Sequence, residues 1–174
     1  MKKLRVAVLQ GGRSGEHEVS LRSARAIMDA LDPQRYEVLP ILITKEGRWQ
    51  PKPILPEPGA NEGIDVVFPV LHGTFGEDGT MQGLLDLADL PYVGAGVLAS
   101  AVSMDKEVMK RLCREAGLPV VDYVTIWREN LDPARVPKIH AETVAKQNAG
   151  VLSLVDEFIT PNAGQLSGED RKQL

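Results

Sequence analysis

Residues 11–18 read Gly-Gly-Arg-Ser-Gly-Glu-His-Glu, three glycines and two carboxylates within eight positions. Glycine has no Cβ, so its backbone N–H groups can approach an anion closely, and a helix opening directly afterwards adds a favourable dipole. Glu16 and Glu18 carry charge that could hold a substrate ammonium. The same two acids could instead complement the dipole of the following helix without any ligand. The segment is neither a P-loop nor a dinucleotide fingerprint, because no Gly-Lys-Ser/Thr follows and the Gly-x-Gly-x-x-Gly spacing fails. Residues 72–83, His-Gly-Thr-Phe-Gly-Glu-Asp-Gly-Thr-Met-Gln-Gly, make a second Gly-rich acidic loop. His72 could donate to a carboxylate, although a lone histidine is more often a structural hydrogen-bonder. Glu77, Asp78 and Thr80 are suited to cap a helix. Lys106 falls in the first turn of a predicted helix, where a cation opposes the dipole unless a phosphate lies nearby. Cys113 sits on an apolar face and reads as core, with no base visibly paired to it.

The elements that must position these groups follow from the apolar pattern. Residues 4–9 are a short Val/Leu-rich run closed by glycines, a buried strand. Leu21, Ala24, Met28 and Leu31 share one helical face, which Pro33 ends. Residues 36–43 predict a second strand whose Pro40 marks an edge or bulge. Residues 44–50 read as a turn closing a small hairpin. Four of the twelve prolines fall between 51 and 63, an extended surface loop. Residues 65–71 predict a strand, and Met81, Leu84, Leu85 and Ala88 the face of a helix. A short strand is expected at 91–94, then a small-residue segment to Ser103. A helix over 105–116 would turn Val108, Leu112 and Cys113 inward and end at Gly117. A strand is expected at 120–126. Strands alternating with helices imply an α/β fold with a mostly parallel open sheet covered by helices. Ligands of such sheets bind at the carboxyl ends of strands, where both Gly-rich loops lie, so the two can face one crevice. After Trp127 the character changes: residues 138–174 hold a single aromatic, Phe158. A helix at 141–145, a modest apolar run at 151–159 and a turn at 161–164 are the features there.

The 174 residues are 43% hydrophobic and 25% charged, which excludes a collagen-like or wholly disordered chain. The net charge of −4 supplies no basic surplus for nucleic acid. With one cysteine no internal disulfide can form, and a reducing, cytoplasmic compartment is expected. The apolar run at the start breaks at Gln10, too early for a signal-peptide core, and no stretch is long enough for a membrane span.

Four blocks together resemble the D-alanine–D-alanine ligases. They are Gly11-Gly12-x-Ser14-x-Glu16-x-Glu18-Val19-Ser20, the His72–Gly83 loop, Pro91-Tyr92-Val93-Gly94-Ala95-Gly96, and Ala99-Ser100-Ala101 with Met104-Asp105-Lys106. They occur in the family's order and cover about residues 4–126. The resemblance implies a pre-ATP-grasp, Rossmann-like amino-terminal domain with helices on both faces of its sheet. It implies ATP-dependent phosphorylation of one D-alanine carboxylate and attack by a second D-alanine amine, giving a dipeptide for peptidoglycan and so for cell-wall synthesis and cell shape. It assigns catalytic roles to Glu16, which would fix the first ammonium, and His72, near that substrate's carboxylate. Gly12, Val19 and Ser20 would shape the first subsite, and Lys106 would approach the ATP phosphates. ATP and Mg²⁺ are the implied cofactors, with no residue here assigned to the metal. A homodimer through this domain is the implied assembly.

Residues 127–174 depart from that pattern. The Val-Lys-Pro strand, the Gly-Ser-Ser-Val-Gly phosphate loop, the transition-state arginine and the Glu/Asn metal site of the ATP-grasp region are not found in them. Phosphoryl transfer relies on metal and cation clamps. The expectation is therefore a truncated ligase, residues 1–126 as amino-terminal domain and 127–174 as divergent tail, inactive alone. The alternative is a non-catalytic α/β binding or dimerisation module. A small doubly wound enzyme of other chemistry is disfavoured by the missing phosphate fingerprints.

Overall fold

The computed structural model describes residues 2–126 and, beyond them, Lys138, Glu142 and Ala145. Eight elements follow one another: β1 (Leu4–Gly11), α1 (His17–Ala30), β2 (Tyr36–Ile43), β3 (Trp49–Gln50), β4 (Val66–Pro69), α2 (Thr80–Leu87), α3 (Val97–Met104) and α4 (Lys106–Glu115). The chain divides into two compact units, Met1–Met109 and Lys110–Leu174.

In the first unit the sheet order is β3-β2-β1-β4. β1 lies parallel to both β2 and β4, and only the short β3 runs antiparallel. The expected mostly parallel sheet is thus present. Its central strand explains its own sequence. Val6, Ala7, Val8 and Leu9 are all buried, because a strand covered on both faces needs apolar residues at every position. Alternation sorts them. Val6 and Val8 join Val70, with Ala24, Ile27 and Met28 of α1 and Leu31 just after it, on one face. Ala7 and Leu9 join Ile41, Ile43 and Val67, with Met81, Leu85 and Ala88 of the α2 segment, on the other. Helices therefore cover both faces.

Pro40 pairs with Val8 of β1, while β3 reaches only Leu42 and Ile43. The outer edge of β2 is bare at Pro40, as its missing N–H requires. Residues 44–50 close the expected hairpin, with Thr44 N–H donating to Arg48 O at 2.8 Å. No strand or helix occupies 51–63, although Ile54 and Asn61 of that loop are buried.

Five expectations are corrected. Residues 91–94 make a single parallel bridge, Val67 with Tyr92, instead of a strand. Val67 N–H donates to Pro91 O and Val93 N–H to Val67 O, and nothing extends the ladder past Gly94 at φ +129°. The small-residue segment is a helix, α3. Ala99 and Ala101 are strong helix formers, and their size admits close packing, with Val97 O lying 2.9 Å from where a Cβ on Gly79 would stand. Leu112 of α4 is 53% exposed instead of inward, and no residue of α4 is buried. Residues 120–126 form no strand: their β-branched residues suit a pleated surface, but the described residues give their backbone no ladder partner. The strand expected at 65–71 is also shorter, Val66–Pro69.

Of the second unit, residues 110–126 are described. Gly117 closes α4 at φ +72°, its N–H donating to Arg114 O and that of Leu118 to Cys113 O, the expected glycine cap. Lys110 and Arg114 lie over the Tyr123 ring at 4.9 and 4.8 Å. The expectations for residues 127–174 fall outside the described residues, except that Glu142 and Ala145 are helical within the span where a helix was expected. No helix among the described residues is long and apolar enough to cross a membrane.

At the amino end of the sheet Arg5 grips Asp65. Its Nε and terminal nitrogen donate to the two carboxylate oxygens at 3.0 and 2.8 Å, and its backbone N–H adds a third bond at 2.8 Å. These bonds, the side-chain ones foremost, hold the Asp65 carboxyl well below the usual carboxylate range. A carboxyl depressed on folding stabilises the native state above its unfolded pKa of about 3.9, and that gain fades as pH falls towards the folded value. Asp65→Asn should therefore melt below the parent at pH 7, with the gap closing between about pH 4 and pH 2. Thermal melts across that range would contradict the coupling if the gap stayed constant.

Candidate functional site

The two Gly-rich loops meet at the carboxyl ends of β1 and β4. Behind them stands Ser20, fully buried on α1. Its hydroxyl accepts the Gly11 N–H at 2.8 Å and donates to Val70 O, fastening the end of β1 to the segment after β4. In front, Ser14 Oγ donates to His72 O at 2.6 Å and accepts the Glu16 N–H at 3.2 Å. Gly73 has φ +72°, and a Cβ built on it would lie 2.7 Å from Glu16 Oε2. The Glu16 carboxylate therefore rests against the backbone of the residue next to His72. The structure brings these two predicted residues together.

His72 is half-buried. Its Nε2 lies 3.1 Å from Ser23 Oγ of α1, and its Nδ1 is 3.8 Å from Glu77 Oε1. The other Glu77 oxygen accepts the Gly73 N–H at 2.7 Å. Asp78 accepts the N–H groups of Phe75 and Thr80 at 2.8 and 3.0 Å, the second at the start of α2, whose N-cap is Gly79 with no side-chain cap bond, so of the expected capping residues only Asp78 reaches a helix N–H. Burial pushes the Asp78 carboxyl up, but these hydrogen bonds together outweigh it and leave it below the ordinary value.

Other sequence expectations are placed differently. Two of the three glycines of the first loop do not offer their N–H groups to an anion, since the Gly11 N–H goes to Ser20 and the Gly12 N–H to Ile43 O at 2.8 Å. Gly12 lines the cleft described below, with its carbonyl 2.7 Å from His17 Nδ1. Glu18 does not wait for an ammonium: it pairs with Lys45 at 2.9 Å, which draws its carboxyl down. Among the described residues the Glu16 carboxylate makes no ion pair, so its charge is available. Val19 is 39% exposed on the first turn of α1. Ser20 acts on the site through the loops it fastens. Lys106 is exposed and donates to Ser103 O at 3.0 Å, and no described bond links it to Glu16 or His72.

Beside the pair opens a cleft of about 290 Å³. Ile43, Trp49, Leu71, Met81 and Leu84 make its apolar wall. Arg13 stretches across it, its guanidinium carbon 4.7 Å from the Phe75 ring centroid and its Cδ against Gly47 of the hairpin. The sequence motifs include Arg13 and Ser14 without giving either a role, and single out neither Ser23 nor Trp49. A hydroxyl two residues before a helix-opening acid is one available signal, since such serines commonly bond nearby N–H groups. Nothing in the sequence joins Trp49 to residues 13 and 75. Among the described residues no group of three or more His, Cys, Asp or Glu could hold a metal ion.

The family model described as "D-ala D-ala ligase N-terminus" matches residues 5–60 and 52–95. The D-alanine–D-alanine ligase of Solibacter usitatus is 70% identical over 127 residues, 73% of this chain and 39% of that protein. The ligase of a Thermoanaerobacter species is 39% identical over 216 aligned positions, covering all of this chain and 60% of that one. The chain thus spans about four to six tenths of these relatives. The solved ligase of Coxiella burnetii superposes with a TM-score of 0.72 at 37% identity, over 82% of this chain and 49% of that one. A Bacillus anthracis ligase solved with ATP gives 0.61 at 30%, over 79% and 43%.

Proposed function

Since the chain belongs to the D-alanine–D-alanine ligase family through its amino-terminal part, we propose that residues 4–126 bind the first D-alanine of an ATP-dependent ligation. One observation carries this reading: an ion-pair-free carboxylate, Glu16, laid against the residue beside His72 at the carboxyl ends of β1 and β4. Glu16 takes the ammonium. His72 presents a ring nitrogen to the carboxylate, with Ser23 and Glu77 fixing the ring. Gly12 and Val19 border the subsite, and Ser20 keeps the two loops in register.

ATP, when bound, supplies the phosphoryl group that activates the carboxylate. The resemblance assigns it Lys106, whose Nζ is bonded to its own preceding turn, and the described residues hold no acidic cluster for Mg²⁺. They do not by themselves make a nucleotide site, and what they do concerns the amino acid. On this proposal the nucleotide half of the reaction lies outside residues 4–126. The product serves peptidoglycan synthesis in the cytoplasm, and the domain pairs with a second copy of itself.

A second reading, a dimer-forming module without substrate, is favoured by the exposed apolar residues Leu87 of α2 and Leu98 of α3, 65% and 77% accessible. D-alanine separates the two. Calorimetry should detect D-alanine binding by the parent chain. Glu16→Ala should weaken it at least about tenfold, as removal of a charged hydrogen bond worth about 1.5–3 kcal/mol implies. Equal affinity in the two proteins would remove Glu16 from this role, and no binding by either would favour the module.

A further inference from the structure

Ser14 ties together the two residues on which the proposed site depends. A hydroxyl has one proton and two lone pairs, so it can donate to His72 O and accept the Glu16 N–H at once. Among the described residues its bond to His72 is the one hydrogen bond between residues 12–16 and residues 72–79. The contact it holds shut is close. Without a Cβ, Gly73 lets the Glu16 carboxylate lie directly on the second loop, and Ser14 Cβ packs on the same spot, 3.3 Å from where that Cβ would be.

We infer that Ser14 is a positioning residue that fixes the span between the Glu16 carboxylate and the His72 ring, and thereby selects amino acids whose two charges sit on one carbon. This rests on the reading of Glu16 and His72 as ammonium and carboxylate partners. An α-amino acid separates its charges by a single carbon. β-Alanine, an isomer of alanine, separates them by two. A pair held at fixed span discriminates between the isomers, and a pair left loose accepts both. Geometry governs the choice, since a hydrogen bond weakens steeply once its length or angle is wrong.

Two measurements test it on the full 174-residue chain, with Ser14→Ala and Ser14→Thr beside the parent. The first is the position of the His72 ring resonances by NMR at one fixed pH, with and without Glu16→Gln. Removing the Glu16 side-chain charge should move those resonances in the parent. That shift should shrink in Ser14→Ala and return in Ser14→Thr, which restores the hydroxyl. Glu77 faces the same ring and is unaltered throughout, so it cancels. The second is calorimetry with D-alanine and β-alanine. Ser14→Ala should lose about fivefold to tenfold in D-alanine affinity, and its preference over β-alanine should narrow, while Ser14→Thr recovers both. A His72 shift of equal size in all three chains, or no shift in the parent, overturns the inference. So does an unchanged preference in a chain that binds D-alanine. If no chain binds D-alanine but the His72 shift still depends on the hydroxyl, the positioning role stands and the functional reading falls.

Discussion

Gly11→Ala should cost the fold about 3–5 kcal/mol, most of the stability of a domain near the lower end of the usual range of about 5–15 kcal/mol. Two independent causes combine. Gly11 has φ +87°, a conformation that strains an L-residue by about 1–3 kcal/mol. Its Cβ would also stand 2.4 Å from Ile43 O and 2.8 Å from His17 Cε1. Ile43 O cannot retreat freely, because Gly11 is its register partner in the sheet and the Gly12 N–H is bonded to it. His17 is itself buried. Gly15→Ala is the control: nothing lies within 4 Å of its Cβ position, and the change should stay within about 0.5 kcal/mol. Urea denaturation of both variants decides the matter, and similar midpoints would mean that β1 and β2 part more easily than their register implies.

Ser20→Ala should cost about 2–5 kcal/mol. The side chain is fully buried, and alanine leaves both the Gly11 N–H and Val70 O without this partner. A buried group deprived of its hydrogen bond costs about 1–3 kcal/mol, and two are affected. The contrast with Ser14 is instructive. Both serines tie the first loop to the second strand-to-helix connection, but Ser14 is only half-buried and water can replace it. Ser20→Ala should lower stability first and ligand binding as a result. Ser14→Ala should do the reverse. Chemical denaturation that ranked Ser14→Ala as the more damaging change would contradict this division.

Much of the fold was legible because its signals are local. Val6 to Leu9 is apolar at every position, which belongs to a strand covered on both faces, and Tyr36–Ile43 was delimited by its own residues. The helical turn of Val97–Met104 was not legible. Alanine and serine carry little hydrophobic periodicity, and only the close approach to Gly79 shows why small residues are needed there. Residues 120–126 erred the other way, since β-branched alternation states a preference but cannot supply the neighbouring strand. At the site, residue types announced Glu16 and His72. Chain distance concealed the rest: Ser14 bonds a carbonyl 58 positions away, and Lys45, which neutralises Glu18, belongs to a hairpin whose placement no motif encodes.

The sheet order has a consequence for the chain as it is synthesised. The first strand made, β1, is the middle one, and β2 can join it as soon as Ile43 is out. Its other edge stays bare until Val66–Pro69 arrives, and the Arg5–Asp65 clasp closes over a separation of 60 residues. Through that interval the nascent chain presents an apolar strand with an open edge, the kind of surface to which chaperones bind and at which stray strands add. The proline-rich stretch that delays β4 therefore sets how long this vulnerable state lasts. Slowing translation across it would change the yield of folded protein without altering a single contact of the finished domain.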